Sequence, residues 1–254
     1  MVFFSDLLEV NIAGSVYFLL GLAVWSIYTL DHLMDARGAI GKPQSPRHQL
    51  HQKYHRVLSA LVICCILIGA FLFFRLTEME FIRTRGILLG VITVFWMGFL
   101  KIAGPKYSWL KEISTALIYV LGISLAPIAK VDFELIDIPV YVFAFVYFLA
   151  ALVNLLMLSY QDAEVDKNDG FGSVLVLIPK TALKNLIMVL GLTGIGVLVV
   201  FSAILPSYYH ISSMILGLII GYHLILFFSK NQSKDQIRRK SEALFLLPFL
   251  LLLL

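Results

Sequence analysis

Seven stretches of this chain reach most of the way across a bilayer without a single charged residue: Val10 to Leu30, Val57 to Phe74, Gly86 to Leu100, Ile113 to Ala129, Ile138 to Leu158, Asn185 to Leu205 and Tyr208 to Phe228. A hydrocarbon layer of about 30 Å takes roughly 20 helical residues to cross, and helices satisfy their own backbone polar groups where no water can. The chain is therefore expected to be all-α, a polytopic transmembrane helical bundle. A further apolar stretch, Ala243 to Leu254, is shorter and brings the expected number of spans to about eight. Composition agrees, with 60% hydrophobic against 14% charged residues and a mean hydropathy of +0.91. Arithmetic for burying a soluble core does not apply to such a chain. One integral membrane domain is expected over residues 1–254, with the lipid bilayer as its solvent. The start, MVFFSDLLEV, has acids where the basic region of a cleavable signal would stand. Cys64 and Cys65 are adjacent in an apolar run and read as small core or lipid-facing residues rather than a disulfide or metal pair.

With alternating connections, all but Arg75, Arg83, Arg85 and Lys130 of the 20 Lys plus Arg fall on one membrane face. Cytoplasmic loops collect basic residues, so the rich face is assigned to the cytoplasm. The same bias accounts for a net charge of +4 and a pI of 9.0 without a nucleic-acid partner. Lys42 belongs to this set, and Lys230 to Lys240 reads as a basic juxtamembrane loop. Two long connections on the rich face, Asp31 to Arg56 and Ser159 to Lys184, are expected to lie as loops over a central cavity and to carry most of the polar chemistry.

The first connection opens YTLDHLMDARG, placing Asp31 and Asp35 four residues apart. On a continuing helix such residues share a face and repel. A carboxylate near bilayer depth costs about 2.5–3.5 kcal/mol, so the pair calls for a cation. Mg²⁺ suits it, because it takes carboxylate and phosphate oxygens together while keeping water. The second connection, SYQDAEVDKNDGFGS, repeats the spacing at Asp162 and Asp166, with Glu164 and Asp169 close by. Two such pairs on one face are expected to converge on a Mg²⁺-bound diphosphate, with basic side chains neutralising the remaining charge.

These motifs resemble the UbiA superfamily of intramembrane prenyltransferases, nine-helix bundles with two Asp-rich cytoplasmic motifs. The likeness is best at DAEVDKNDGFGS, through Asp162, Glu164, Asp166, Lys167, Gly170 and Ser173, and it includes KYSWLKE with Lys106 and Glu112. The first motif departs at Ile27, where the family usually has asparagine, and eight spans stand where nine are the norm. The resemblance implies transfer of a prenyl group from a polyprenyl diphosphate to a small hydrophobic or aromatic acceptor. It implies Asp31, Asp35, Asp162 and Asp166 as metal ligands, with Glu164 as a candidate for taking up the final proton. The expected home is a bacterial inner (plasma) membrane, with the Asp motifs facing the cytoplasm.

Around these acids, Arg47, Lys53 and Lys167 are candidates for holding phosphate oxygens, or else positive-inside residues. His48, His51 and His55 read as solvated or phosphate-contacting, since His32, His210 and His223 are scattered elsewhere and no matching cluster supports a metal site. Asn154 either binds ligand or bonds a neighbouring helix. Tyr160, with Trp25, Tyr28 and Trp109, belongs to an aromatic belt or lines a prenyl pocket, where ring faces stabilise an allylic cation. Two other readings compete. A CDP-alcohol phosphotransferase would need glycine where His32 and Leu158 stand, and a non-catalytic isoprenoid- or quinone-binding protein would keep the fold without the chemistry.

Overall fold

A computed structural model describes residues 1–38, 45–104, 107–170, 172–229 and 231–253, and among them the chain is helical with no strand. Lys42, Lys106 and Lys230 lie outside the described residues. The α-helices are α1 (Val2–Leu7), α2 (Gly14–Gly38), α3 (Pro46–Lys53), α4 (His55–Arg75), α5 (Arg83–Ala103), α6 (Trp109–Ala129), α7 (Ile138–Asp169), α8 (Lys180–Ile204), α9 (His210–Phe228) and α10 (Lys234–Ala243). Among the described residues seven helices, α2 and α4 to α9, are long and apolar enough to cross a membrane, compatible with an integral membrane protein.

Each of the seven lies on one of the uncharged stretches, α2 beginning only at Gly14 and α9 at His210, but two run well beyond the stretch's end. α2 continues past Leu30 through DHLMDARG, and α7 continues past Leu158 to Asp169. The two acidic motifs, which open the connections expected as loops, are thus the last turns of long helices. Gly170, at φ +81°, ends α7 in a left-handed conformation that a side chain would resist. Leu244–Leu253, the described part of the expected eighth span, folds as a 3-10 segment containing Pro248, whose ring nitrogen has no hydrogen to give an α-helical bond.

The helices gather into two compact units. Unit 1 comprises Met1–Val10, Ser108–Asp162 and Ser173–Leu254; unit 2 comprises Asn11–Tyr107 and Ala163–Gly172. In unit 1 the core is built along α7, where Val153 and Leu156 pack with Ala116 of α6 and with Leu183 and Ile187 of α8. Farther along, Met157 meets Leu226 of α9 and Ile237 of α10. The short α1 is drawn into this core: Phe3 and Phe4 are fully buried, and Phe3 makes edge contacts with Phe143 at 6.0 Å and Tyr147 at 5.4 Å. α8 and α9 approach closely at Gly191 and Gly194, where an added Cβ would stand 2.8 Å from Leu224 and from Ile220. In unit 2, α2 packs along α4 and against α3, while α5 is joined through the 3-10 turn Thr77–Ile82, whose Met79 is buried. The outward sides of α4 and α5, including Leu67, Phe71 and Phe95, are exposed and suit a lipid solvent.

Candidate functional site

In unit 2 the polar groups collect where the end of α2 meets α3. Tyr28, Asp31, His32 and Asp35 follow one another around the last turns of α2, and Arg47, His48 and His51 face them from α3. The His32 ring lies on Tyr28, with centroids 4.1 Å apart, and on its other sides stand His51 at 5.2 Å and His48 at 5.8 Å. The hydrogen bonds assign a tautomer. His32 Nδ1–H donates to the Tyr28 carbonyl at 3.0 Å, so its Nε2 accepts from Arg47 Nη1–H at 3.3 Å. His51 Nδ1–H donates to the Arg47 carbonyl at 2.8 Å. His48 Nδ1 is 3.8 Å from Asp169 Oδ2, within range of charge attraction but beyond a hydrogen bond, and both groups are buried.

Burial depresses the pKa of His48 below its ordinary 6.5, and Arg47 adds to the depression while Asp35 and Asp169 oppose it. These positions correct the expectation of solvated histidines: His48 and His51 are buried, and His32 joins them rather than standing apart. His55 donates to the Gln52 carbonyl at 3.3 Å. Asp35, on the same helix end, forms an ion pair with Lys101 from the last turn of α5. Asp31 and Asp166 are half-buried, whereas Glu164 and Lys167 are exposed on the final turns of α7. Exposed Lys53 lies over the Tyr54 ring at 5.0 Å.

In unit 1 Asp162 forms an ion pair with Arg238 of α10. α10 was expected as loop. It starts with a reciprocal cap, Ser233 Oγ accepting from Gln236 N and Gln236 Oε1 accepting from Ser233 N, and it buries Ile237 and Ser241. His223 of α9, fully buried, bonds the Ser241 carbonyl through Nε2–H at 3.1 Å and pins the helix. The Ser-x-x-Gln spacing was the sequence signal that would have found it. Tyr160 packs edge-on against Phe227 at 5.1 Å and carries Lys180 Nζ over its ring at 4.8 Å. Asn154 is buried, and its Oδ1 meets no donor among the described residues.

Glu112, buried in the first turn of α6, accepts at Oε1 from Ser159 Oγ at 2.8 Å and from the Val174 amide at 3.0 Å. One carboxylate thereby ties α6 to α7 and to the segment that follows the second acidic motif. Ser173 caps the short turn there, its Oγ accepting from Leu175 N. Ser108 Oγ donates to the Ser173 carbonyl at 3.4 Å.

Among the described residues no three His, Cys, Asp or Glu side chains stand close enough together to hold a metal ion. The acids stand as pairs four residues apart in sequence, one pair at the end of α2 and one at the end of α7. The two cations that hold Asp35 and Asp162, Lys101 and Arg238, were not among the residues expected at the site. No family model, curated protein or solved structure matches this chain.

Proposed function

We propose that the protein is a Mg²⁺-dependent intramembrane prenyltransferase of the UbiA type, which transfers a prenyl group from a polyprenyl diphosphate to a hydrophobic or aromatic acceptor. The observation that carries this reading is that two aspartate pairs, each four residues apart, end two long apolar helices, and that each pair includes a carboxylate held by a cation from another helix. Carboxylates at the ends of apolar spans are costly unless paired, and intramembrane ionisable residues commonly mark functional sites.

The donor set suits Mg²⁺. It offers only oxygen, two carboxylates at a time, and Mg²⁺ ordinarily takes one or two carboxylates and fills its remaining positions with water and phosphate oxygens. Asp31 with Asp35, and Asp162 with Asp166, are the residues that would hold it. When bound, the ion offsets charge growing on the departing diphosphate. The protein's own groups do the rest. Arg47 and Lys101 carry positive charge beside the first pair and Arg238 beside the second, the sign that offsets charge on a departing diphosphate. The apolar spans keep water from an allylic cation, and aromatic faces such as those of Tyr28 and Tyr160 are suited to stabilise it. Glu164, exposed on α7, is the candidate for taking up the final proton. The charge bias of the connections supports a cytoplasmic position for these groups in a plasma membrane.

Incubating purified protein with Mg²⁺, farnesyl or geranylgeranyl diphosphate and a panel of aromatic acceptors tests the reading. Prenylated product is expected from the wild type, and Asp31→Ala and Asp162→Ala should each lower the rate by at least about 100-fold. Equal diphosphate release from all three proteins sinks it. Diphosphate binding without turnover selects a non-catalytic isoprenoid carrier instead.

A further inference from the structure

Arg238 is held in a way that ion pairing alone does not account for. Its Nη2 sits on Asp162 Oδ2, and its side chain is only 15% exposed. Its Nε–H is buried and meets no acceptor among the described residues. Arginine presents Nε and Nη hydrogens as a planar fork that matches two oxygens of a phosphate, and a buried N–H of a cation left without an acceptor is costly. The helix beneath it is built to hold this position. α10 is capped at Ser233 and Gln236, buries Ile237 on Met157 and Leu226, and is bonded by His223 at Ser241, whose own Oγ returns to the Arg238 carbonyl at 2.9 Å.

We propose that Arg238 is a diphosphate-binding residue: it neutralises Asp162 while no anion is present, and it turns its fork onto a phosphate oxygen when the Mg²⁺-diphosphate head arrives and Asp162 is drawn to the cation. The inference rests on the reading of Asp162 as a metal-binding carboxylate. A bystander ion pair would leave both Mg²⁺ and anion affinity indifferent to Arg238, and a simple latch would oppose both ligands. A residue that trades one partner for the other has opposite effects on the two. It competes with Mg²⁺ alone for Asp162, and it adds a charge-assisted contact to Mg²⁺-diphosphate.

The test is calorimetric titration of the purified full chain with Mg²⁺ alone and with inorganic pyrophosphate in excess Mg²⁺, for the wild type, Arg238→Gln and Arg238→Lys. Arg238→Gln is expected to bind Mg²⁺ alone several-fold more tightly and Mg²⁺-pyrophosphate about 10-fold more weakly. Arg238→Lys, which keeps the charge but loses the fork, should fall between, and it serves as the measurement if the glutamine variant does not fold. Unchanged or tighter pyrophosphate binding in the variants overturns the role of Arg238 and leaves the prenyltransferase reading standing. A wild type that binds no Mg²⁺-pyrophosphate overturns both.

Discussion

The apolar part of α7, which lies in unit 1 as far as Asp162, and α5 in unit 2 are both long apolar helices, yet their surroundings are opposite. Of the most apolar window of α7, 61% is buried within the protein, against 6% for α5 with its leading turn and 6% for α4. In water this contrast would be written as amphipathicity. In lipid it is not, because an outward leucine is as well solvated as an inward one, and helix association depends on close packing and polar bonds instead. The buried helix shows this in detail. α7 presents Ala150, Ala151, Val153 and Asn154 to its neighbours, and α8 meets α9 through Gly191 and Gly194. In α5 an added Cβ at Gly86, near its start, would stand 3.2 Å from the Phe73 ring, but nothing lies within 4 Å of one at Gly90 or Gly98 along the span.

The strongest way to break the contrast is to truncate side chains on each side of it. Ile187→Ala and Phe143→Ala in unit 1 should cost about 2–5 kcal/mol each, since both are fully buried and leave cavities. Ile68→Ala and Phe95→Ala in unit 2 should stay within about 0.5 kcal/mol, because those side chains are exposed. Reversible unfolding in mixed micelles measures all four, and equal losses in the two units would mean that the outer faces of α4 and α5 are packed in the folded protein. A finer cut uses the glycines. Gly191→Ala should cost about 1 kcal/mol by pushing Leu224 aside, while Gly90→Ala should gain about 0.5–1 kcal/mol from helix propensity with no neighbour to displace. Changes of the same sign at both positions would contradict the different packing of the two helices.

The same physics decides what could be read in advance. Spans announce themselves because charge is excluded for the length of a bilayer, and a long helix lies on each of the seven uncharged stretches. Their ends did not, since helical hydrogen bonding continues past the apolar limit until something stops it; at α7 that is Gly170, twelve residues beyond Leu158. The acidic spacing at Asp31, Asp35, Asp162 and Asp166 was visible because it is local. Their cations were not, because Lys101 and Arg238 stand 66 and 76 residues away in sequence from Asp35 and Asp162. Both had been absorbed into the general basic bias of one membrane face. The histidine group failed for the same reason: His32 lies 16 residues from His48, and only the packing of α3 on α2 joins them.

That histidine group gives the smallest expected effect and the one most specific to unit 2. His48 lies outside the spans, on α3, and it faces Arg47 and His51 of its own helix, His32 and Asp35 of α2 and Asp169 of α7. Its burial and Arg47 depress its pKa below 6.5, more than Asp35 and Asp169 restore it. The unfolded chain therefore binds a proton at His48 more readily than the folded one. The associated stability is complete above the unfolded value and is lost as pH falls through it. Between pH 7.5 and 5.5 the unfolding midpoint of the wild type should drop, and His48→Gln should remove part of that drop, on the order of 2 °C. The comparison isolates His48 because the other acids and histidines of the cluster are present in both proteins. An identical pH slope in the variant would mean that His48 is not held neutral by its surroundings, and that the end of α3 is open to water in the folded state.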